Sequence, residues 1–246
     1  MTTVGSDSAF LLGVLGGMGP LATVDFLAKL VAATPAGGDA DHVPFVAASI
    51  PQIPSRVAAI AGDGPSPLPA LTDARDRLLA AGATLLAMPC NTAHRWHEDL
   101  AGGAGVPFLH IADAAVAEVA ARVPAGTTVG VIATGATHAI GLYSTRLERA
   151  GYRVAVPSDA DDAVSVAAGI AAVKRGEPSA GGHHFARVVA KLERNGAGAI
   201  LLGCTEVPPG LAAAGAPAGV PWIDPTDALA RACAAAWVQS RSPGTR

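Results

Sequence analysis

Two cysteines lie in similar polar turns. The segment "LLAMPCNT" contains Cys90, and the segment "ILLGCTEV" contains Cys204, 114 positions further along the chain. Each cysteine follows a short apolar run typical of a buried strand and precedes residues that favour a helix start. We therefore predict that both cysteines lie at the carboxyl ends of strands, where helices begin.

A pair of thiols in this arrangement suits the inversion of a stereocentre. Inversion removes a proton from one face of a carbon atom and returns one to the other face, which is most simply done by two acid/base groups on opposite sides. A helix N-terminus or a nearby cation lowers the pKa of a cysteine from its usual value of about 8.5. At rest one residue would be the thiolate and the other the thiol, and the coupled pair would titrate as a unit.

For each cysteine alone, an inert buried side chain is the commoner role. That interpretation weakens for Cys90 and Cys204 because both occupy polar turns at repeat-related positions. The third cysteine, Cys233, lies in the alanine-rich stretch 229–237 and is predicted to pack within a helix.

The residues after each cysteine are suited to hold a carboxylate. Asn91 and Thr92 follow Cys90, and Thr205 follows Cys204. Their side chains and the backbone amides of the turns can donate hydrogen bonds to an anion. The same amides would stabilise the enediolate-like charge that develops when an α-proton leaves.

An internal repeat relates the two cysteine segments. "GVPFLHIADA" from Gly105 and "GVPWIDPTDA" from Gly219 are also offset by 114, and the openings "GVLGGMG" from Gly13 and "GVIATGA" from Gly130 are offset by 117. Matched segments in one order indicate two pseudo-equivalent halves. Open α/β sheets bind ligands at the carboxyl ends of their strands, so facing halves would bring both cysteines to one cleft. A duplicated fold in which the cysteines have no catalytic role would produce the same repeat.

The pattern between these segments predicts an α/β fold with two pseudo-symmetric Rossmann-like halves. Apolar runs alternate with amphipathic stretches, as in mainly parallel sheets flanked by helices, and the active site is expected in the cleft between the halves. The predicted strands are 11–16, 44–49, 84–88, 107–109, 128–133, 152–156, 199–202 and 221–223. The predicted helices are 20–34, 68–82, 92–101, 113–122, 140–150, 160–175, 181–195 and 226–238.

We predict two domains, with 1–112 and 223–246 forming the first and 113–222 forming the second. Residues 63–69 are predicted to be a surface loop, and 240–246 a loose tail.

Composition excludes several classes of partner. A net charge of −3 and an aromatic content of 4% are atypical of nucleic-acid binding. The apolar runs are too short for a membrane helix, and the first ten residues lack the pattern of a signal peptide. Three dispersed cysteines do not form a disulfide framework. These features predict a cytoplasmic protein with reduced thiols.

Four motifs resemble the aspartate/glutamate racemase superfamily, and within it the aspartate racemase branch. They are "GVLGGMGPLAT" from Gly13, "IPQIPSR" from Ile50, "MPCNTAH" from Met88 and "LLGCTEV" from Leu201. The glutamate racemase branch is expected to have Asp-Ser-Gly in the opening and Gly-Cys-Thr-His in the second cysteine motif. This chain has "GGMG" and Glu206 at those places.

The resemblance implies a cofactor-independent racemase, without a metal, that interconverts L- and D-aspartate and possibly glutamate through Cys90 and Cys204. It assigns the α-carboxylate to Asn91, Thr92 and Thr205. The other residues that it implies for substrate binding are Arg56 and Lys174, which would clamp the distal carboxylate, and Gly17, Met18 and Thr137. A small acidic amino acid as the partner molecule and a homodimer follow from the same resemblance.

Two departures from the family pattern bear on the substrate. Ala136 stands where a glycine is usual in the segment "ATGAT", and Asp161 and Asp162 stand where a glutamine is often found. Both departures are expected near the pocket wall of the second half. These departures affect the prediction of the exact substrate more than the prediction of the reaction type.

Several other functions fit parts of the sequence. The segment "GMGPLA" from Gly17 matches a dinucleotide-binding turn, but the acidic residue expected after the second strand is missing. Cys90, His94 and His97 have the spacing of metal ligands but no second cluster. Cys90 with His94 as base would suit a hydrolase, which leaves Cys204 unexplained. A related decarboxylase or cis-trans isomerase of small acids, or a module that only binds an acidic amino acid, also remains open.

Overall fold

The computed structural model describes residues 10–157 and 160–241 as two parallel sheets with helices packed around them. The first sheet has the order β2-β1-β3, with β1 at Leu12–Gly16, β2 at Phe45–Ser49 and β3 at Leu85–Ala87. All five residues of β1 are buried, as expected for a central strand covered on both faces. The helices along this part of the chain are α1 (Pro20–Ala33), α2 (Arg56–Ala61), α3 (Leu68–Ala80), α4 (His97–Gly102) and α5 (Ile111–Arg122), with 3-10 turns at Asp39–Asp41 and Thr92–Trp96.

The second sheet has the order β5-β4-β6-β7 and is also parallel. Its strands are β4 (Thr128–Ile132), β5 (Arg153–Ala155), β6 (Ala199–Leu202) and β7 (Trp222–Ile223). The helices along this part of the chain are α6 (Gly135–Ala139), α7 (Ser144–Arg149), α8 (Ala160–Lys174), α9 (Pro178–Arg194), α10 (Val207–Ala213) and α11 (Pro225–Arg241). The predicted fold class is confirmed.

The last helix returns to the first sheet. Leu229 and Cys233 of α11 belong to the same buried cluster as Leu12 of β1 and Phe26 of α1. Cys233 is fully buried there, as the apolar pattern predicts. The preceding strand β7 pairs with β6 of the second sheet. The domain boundaries given above stay a prediction.

Several element predictions were wrong in detail. Residues 107–109 form an isolated bridge through Phe108 and Leu86 instead of a strand. Helix 140–150 begins only at Ser144, as α7, because residues 140–143 form a turn in which Gly141 adopts a positive φ of 62°. Helix 92–101 begins as a 3-10 turn, and the helices α2, α6 and α10 were not predicted.

Two differences from the predictions involve prolines in the first turn of a helix. The loop predicted for 63–69 ends early because Leu68 already begins α3, with Pro69 in its first turn. Helix α10 likewise carries Pro208 and Pro209 in its first turn, where a missing N–H is tolerated. In the predicted tail, residues 240 and 241 are helical, and 242–246 lie outside the described residues.

No helix among the described residues is both long and apolar enough to cross a membrane.

Candidate active site

Cys90 lies three residues beyond β3, in a tight turn at the start of the 3-10 helix. Its backbone N–H donates to the carbonyl of Met88 at 2.8 Å, and its side chain is buried. Asn91 is the residue that precedes the 3-10 helix, but its side chain makes no capping hydrogen bond. The side chain of Asn91 instead accepts a hydrogen bond from the hydroxyl of Tyr143, which belongs to the second half.

His94 supports the backbone of this turn and does not face the sulfur of Cys90. Its Nδ1 lies 2.8 Å from the carbonyl oxygen of Cys90, and its Nε2 accepts the backbone N–H of Ile111 at 3.1 Å. A neutral imidazole that donates from Nδ1 and accepts at Nε2 satisfies both contacts. Because both ring nitrogens are engaged, this arrangement disfavours His94 as the base of a hydrolase or as a metal ligand. The described residues contain no group of three or more candidate ligands that could hold a metal ion.

Cys204 occupies the equivalent turn after β6. Its Sγ donates a hydrogen bond to Oε2 of Glu206 at 2.9 Å, and the hydroxyl of Thr205 donates to the same oxygen at 3.1 Å. Glu206 immediately precedes α10 and is 8% exposed. This contact of Glu206 was not predicted, although its position two residues after Cys204 was the available signal for it.

Both cysteines line one small cavity between the two sheets. The cavity has a volume of about 50 Å³, and its walls come from both halves of the chain. It is lined by Met18, Ser55, Arg56, Val57, Cys90, Asn91, Thr92, Thr134, Lys174, Cys204, Thr205 and Glu206. The predicted residues Met18, Arg56, Asn91, Thr92, Lys174 and Thr205 are therefore brought together with the two cysteines.

The two sulfur atoms have different electrostatic surroundings. Burial raises the pKa of the Cys90 thiol, while the Arg56 guanidinium and the backbone N–H of Ala93 oppose that rise. Burial also raises the pKa of Cys204, and the charge and hydrogen bond of Glu206 raise it further, to well above the usual value. The net direction is thus upward at both sites. The lowering expected from a helix start and a nearby cation is present but is outweighed by burial.

Two cations border the cavity. Arg56 begins α2, and its Nη1 donates to the backbone carbonyls of Ile53 and Pro54 at 3.0 and 2.9 Å, which fixes the guanidinium beside Cys90. Lys174 ends α8, and its Nζ lies 3.8 Å from Oε1 of Glu206. The side chain of Lys174 is 57% exposed, so it has room to turn toward a ligand.

A cluster of three threonines joins the two halves at the wall of the cavity. The hydroxyl of Thr92 lies 2.8 Å from that of Thr137 and 3.3 Å from that of Thr134. Thr134 also accepts the backbone N–H of Thr137 and so caps α6. Thr134 is a cavity residue that the sequence analysis missed, whereas Thr137 is 1% exposed and is placed behind Thr92, outside the cavity lining.

Gly17 shapes the turn that carries Met18. It has a φ of 91°, and a Cβ at this position would lie 2.1 Å from the backbone nitrogen of Ile50. Its N–H donates to the hydroxyl of Thr23 at 2.8 Å. Gly17 itself is outside the cavity lining, so its observed contribution is a close approach of two backbones.

Two larger cavities adjoin the one that holds the cysteines. A cavity of about 260 Å³ shares Val57, Thr134 and Lys174 with it and is otherwise mainly apolar. A cavity of about 620 Å³ shares Lys174, Thr205 and Glu206. A third, of about 880 Å³, surrounds His94, His97 and His110 and touches neither cysteine. We therefore take the small cavity as the candidate active site because it is lined by both cysteines, although the other three cavities are larger.

The departures noted in the sequence lie outside the cavity lining. Asp162 is buried in α8 and accepts a hydrogen bond from Lys191 at 2.6 Å, while Asp161 is exposed. Ala136 lies within α6, half-buried. These three residues are not among those that line the site.

A family model for Asp/Glu/hydantoin racemases matches residues 15–233. Among solved structures, the chain is similar to the Picrophilus torridus aspartate racemase, with 30% identity, a TM-score of 0.82, and coverage of 94% of this chain and 95% of that one. It is also similar to a putative Asp/Glu racemase from Yersinia pestis, with 26% identity, a TM-score of 0.73, and coverage of 94% and 100%.

A curated protein also matches over part of its length. The broad specificity amino-acid racemase RacX from Bacillus subtilis is 30% identical over 115 residues, which are 44% of this chain and 49% of that protein. The match therefore spans about half the length of this relative.

Proposed function

The chain belongs to the Asp/Glu/hydantoin racemase family, and we propose that it interconverts L- and D-aspartate, with glutamate as a second candidate, by a two-cysteine mechanism that needs no cofactor. One observation carries the proposal. Cys90 and Cys204, from repeat-related turns in the two halves, line one cavity together with Arg56 and Lys174. Two acid/base groups and two cations are the set that racemisation of a dicarboxylate requires.

The reaction transfers one proton at each face of the α-carbon. A thiolate on one side takes the α-proton, so that a C–H bond breaks and an S–H bond forms. The electron pair delocalises into the α-carboxylate, and the thiol on the other side returns a proton to the carbon. The enzyme ends with the opposite cysteine as the thiolate, and the reverse reaction restores the first state.

The pKa of both thiols is raised, but the surroundings of the sulfur atoms favour Cys90 over Cys204 as the thiolate of the starting state. Arg56 and the N–H of Ala93 stabilise negative charge on Cys90. Glu206 accepts a hydrogen bond from Cys204 and repels a thiolate there. We infer that Cys90 is the base for the first proton removed and that Cys204 is the acid that completes the turnover.

The remaining residues divide between the two carboxylates of the substrate. Asn91, Thr92 and Thr205 lie next to the cysteines, so we assign them to the α-carboxylate, whose charge increases during the reaction. Arg56 and Lys174 are assigned to the distal carboxylate, because a guanidinium fork matches a planar carboxylate and an ammonium adds a second charge. The name of the Picrophilus torridus neighbour, an aspartate racemase, supports this choice of substrate.

The experiment is proton NMR of L-aspartate in D2O with protein free of pyridoxal phosphate, combined with chiral analysis. We expect loss of the α-proton signal and appearance of D-aspartate. Cys90→Ser and Cys204→Ser should each abolish racemisation. Cys233→Ser should remain active, because Cys233 is buried in α11 away from the cavity.

The opposite outcomes are equally informative. Racemisation that survives either Cys90→Ser or Cys204→Ser would refute the two-cysteine mechanism. If neither aspartate nor glutamate exchanges its α-proton, the substrate assignment is wrong. Malonate-type acids and maleate would then be the next compounds to test, since the same cysteines could decarboxylate or isomerise them.

A further inference from the structure

One side chain contacts both cysteine turns. Tyr143, which precedes α7 in the second half, donates its hydroxyl hydrogen to Oδ1 of Asn91, the residue after Cys90. The edge of its ring lies against Gly203, the residue before Cys204, where a Cβ would be only 3.0 Å from Cε2 of the ring. Tyr143 is 2% exposed and therefore fixed by packing on all sides.

In the structure this hydrogen bond orients the amide of Asn91 with its oxygen toward Tyr143. A phenol can donate its hydrogen to an amide oxygen, but the NH2 group of an amide can only donate. Burial raises the pKa of Tyr143 well above its usual value, so the hydroxyl stays protonated and remains a donor. Asn91 lines the cavity, and because its oxygen is held by Tyr143, the N–H donors are the groups that its amide can offer to a ligand there.

We propose that Tyr143 is a positioning residue: it holds the amide of Asn91 with its N–H donors toward the α-carboxylate of the substrate and keeps the two cysteine turns in register. The proposal rests on the proposed function, because the ligand of Asn91 is the carboxylate assigned there. It adds a residue that touches neither the substrate nor the sulfur atoms but acts through Asn91.

The chain provides a matched control in its only other tyrosine. Tyr152 belongs to the same buried cluster as Tyr143, is 6% exposed, and donates to the backbone carbonyl of Val123 at 3.2 Å. Neither Tyr152 nor Val123 is among the residues that line the cavity. Tyr152→Phe therefore removes a buried hydroxyl from the same core without altering Asn91.

The test compares Tyr143→Phe, Tyr152→Phe, Asn91→Ala and the double variant Tyr143→Phe/Asn91→Ala. We expect Tyr143→Phe to raise the KM for aspartate about tenfold, the equivalent of one lost hydrogen bond. Tyr152→Phe should leave KM within about twofold of wild type, while both phenylalanine variants melt at similar temperatures. The double variant should have the KM of Asn91→Ala alone, because Tyr143 would act only through that amide.

Two results would overturn the proposal: an unchanged KM in Tyr143→Phe, or effects of Tyr143→Phe and Asn91→Ala that multiply. A crystal structure of Tyr143→Phe provides a readout that is independent of the substrate. The amide of Asn91 should turn away from its wild-type orientation, and an unchanged orientation would refute the positioning role. If the wild-type enzyme fails to racemise any dicarboxylate, the proposed function fails, and this structural result still decides the role of Tyr143.

Discussion

Cys90 and Cys204 occupy equivalent turns but have neighbours of opposite charge, Arg56 and Glu206. Because a thiolate and not a thiol reacts with iodoacetamide, the labelling rate reports on this asymmetry. In the ligand-free enzyme at neutral pH we expect Cys90 to be labelled before Cys204. Glu206→Gln should accelerate the labelling of Cys204, since it removes the negative charge and leaves the size of the side chain almost unchanged.

Mass spectrometry of labelled peptides measures both rates in one sample. Cys233 is fully buried and outside the cavity, and burial raises its pKa to about 12. Because the reagent has no access to it in the folded protein, this cysteine serves as an internal reference that should label slowest. Glu177→Gln, on an exposed glutamate, is the matched variant and should change neither rate. An unchanged Cys204 rate in Glu206→Gln would show that Glu206 does not hold the proton on that sulfur.

Arg56 combines two roles that one substitution removes together. Replacement by alanine takes away the proposed partner of the distal carboxylate and a cation that stabilises the Cys90 thiolate. We expect kcat/KM for aspartate to fall by about 100-fold, in the range of a lost charge-assisted interaction, while the melting temperature changes little. Steady-state kinetics checks this, with Arg77→Ala on the exposed face of α3 as control. Wild-type activity in Arg56→Ala would refute the assignment.

At the scale of elements, glycines allow α8, α9 and α10 to pack closely behind the Cys204 turn. A Cβ on Gly182 of α9 would lie 1.9 Å from the carbonyl oxygen of Gly210 in α10, a contact that the backbone must move to relieve. Gly182→Ala should therefore destabilise the protein by about 1–3 kcal/mol and shift α10. Urea unfolding measures the loss.

Gly102→Ala is the matched control for this prediction. Gly102 ends α4, and a Cβ there would meet nothing within 4 Å. The control should unfold at a denaturant concentration close to that of the wild type. Equal stability of Gly182→Ala and Gly102→Ala would mean that α9 and α10 can move apart without a loss in the free energy of unfolding. The close approach of Gly182 to Gly210 would then not contribute to stability.

The repeat in the sequence predicted two parallel sheets and the meeting of Cys90 and Cys204, because matched segments at one offset encode matched strands. It did not predict the roles of Tyr143 and Glu206. The hydrogen bond from Tyr143 to Asn91 spans 52 positions and joins opposite halves, so no local pattern indicates it. Glu206 was visible in the cysteine motif, but only the folded turn brings its carboxylate to the sulfur.

At the scale of the whole molecule, the two halves also meet outside the cavity, at a cluster of three histidine rings. The ring of His110 lies 4.5 Å from that of His94 and 4.6 Å from that of His97, measured between centroids. Arg146 of the second half approaches His110, with 2.9 Å between Nη2 and Nε2, and it pairs with Asp113 at 2.6 Å. The junction therefore combines one buried and two half-buried imidazoles with a cation from the opposite half.

This junction predicts a specific loss of stability in acid. Burial lowers the pKa of all three histidines, that of His110 to about 3, with Arg146 as the next cause for His110. The unfolded chain binds protons at these residues near pH 6.5, whereas the folded chain does not. The contribution of these histidines to the free energy of unfolding should therefore be complete above pH 6.5 and decrease as the pH falls below it. For His110 the decrease should continue toward pH 3, by up to about 1.4 kcal/mol per pH unit.

His110→Gln isolates the contribution of one group. It removes a titrating residue, so between pH 6 and pH 5 the free energy of unfolding should fall by about 1 kcal/mol less than in the wild type. Urea unfolding across this range measures the slope, and the difference between variant and wild type at pH 8 gives the separate cost of altered packing. Parallel curves for the two proteins would show that His110 is already protonated in the folded state, and that Arg146 and burial do not keep this junction neutral.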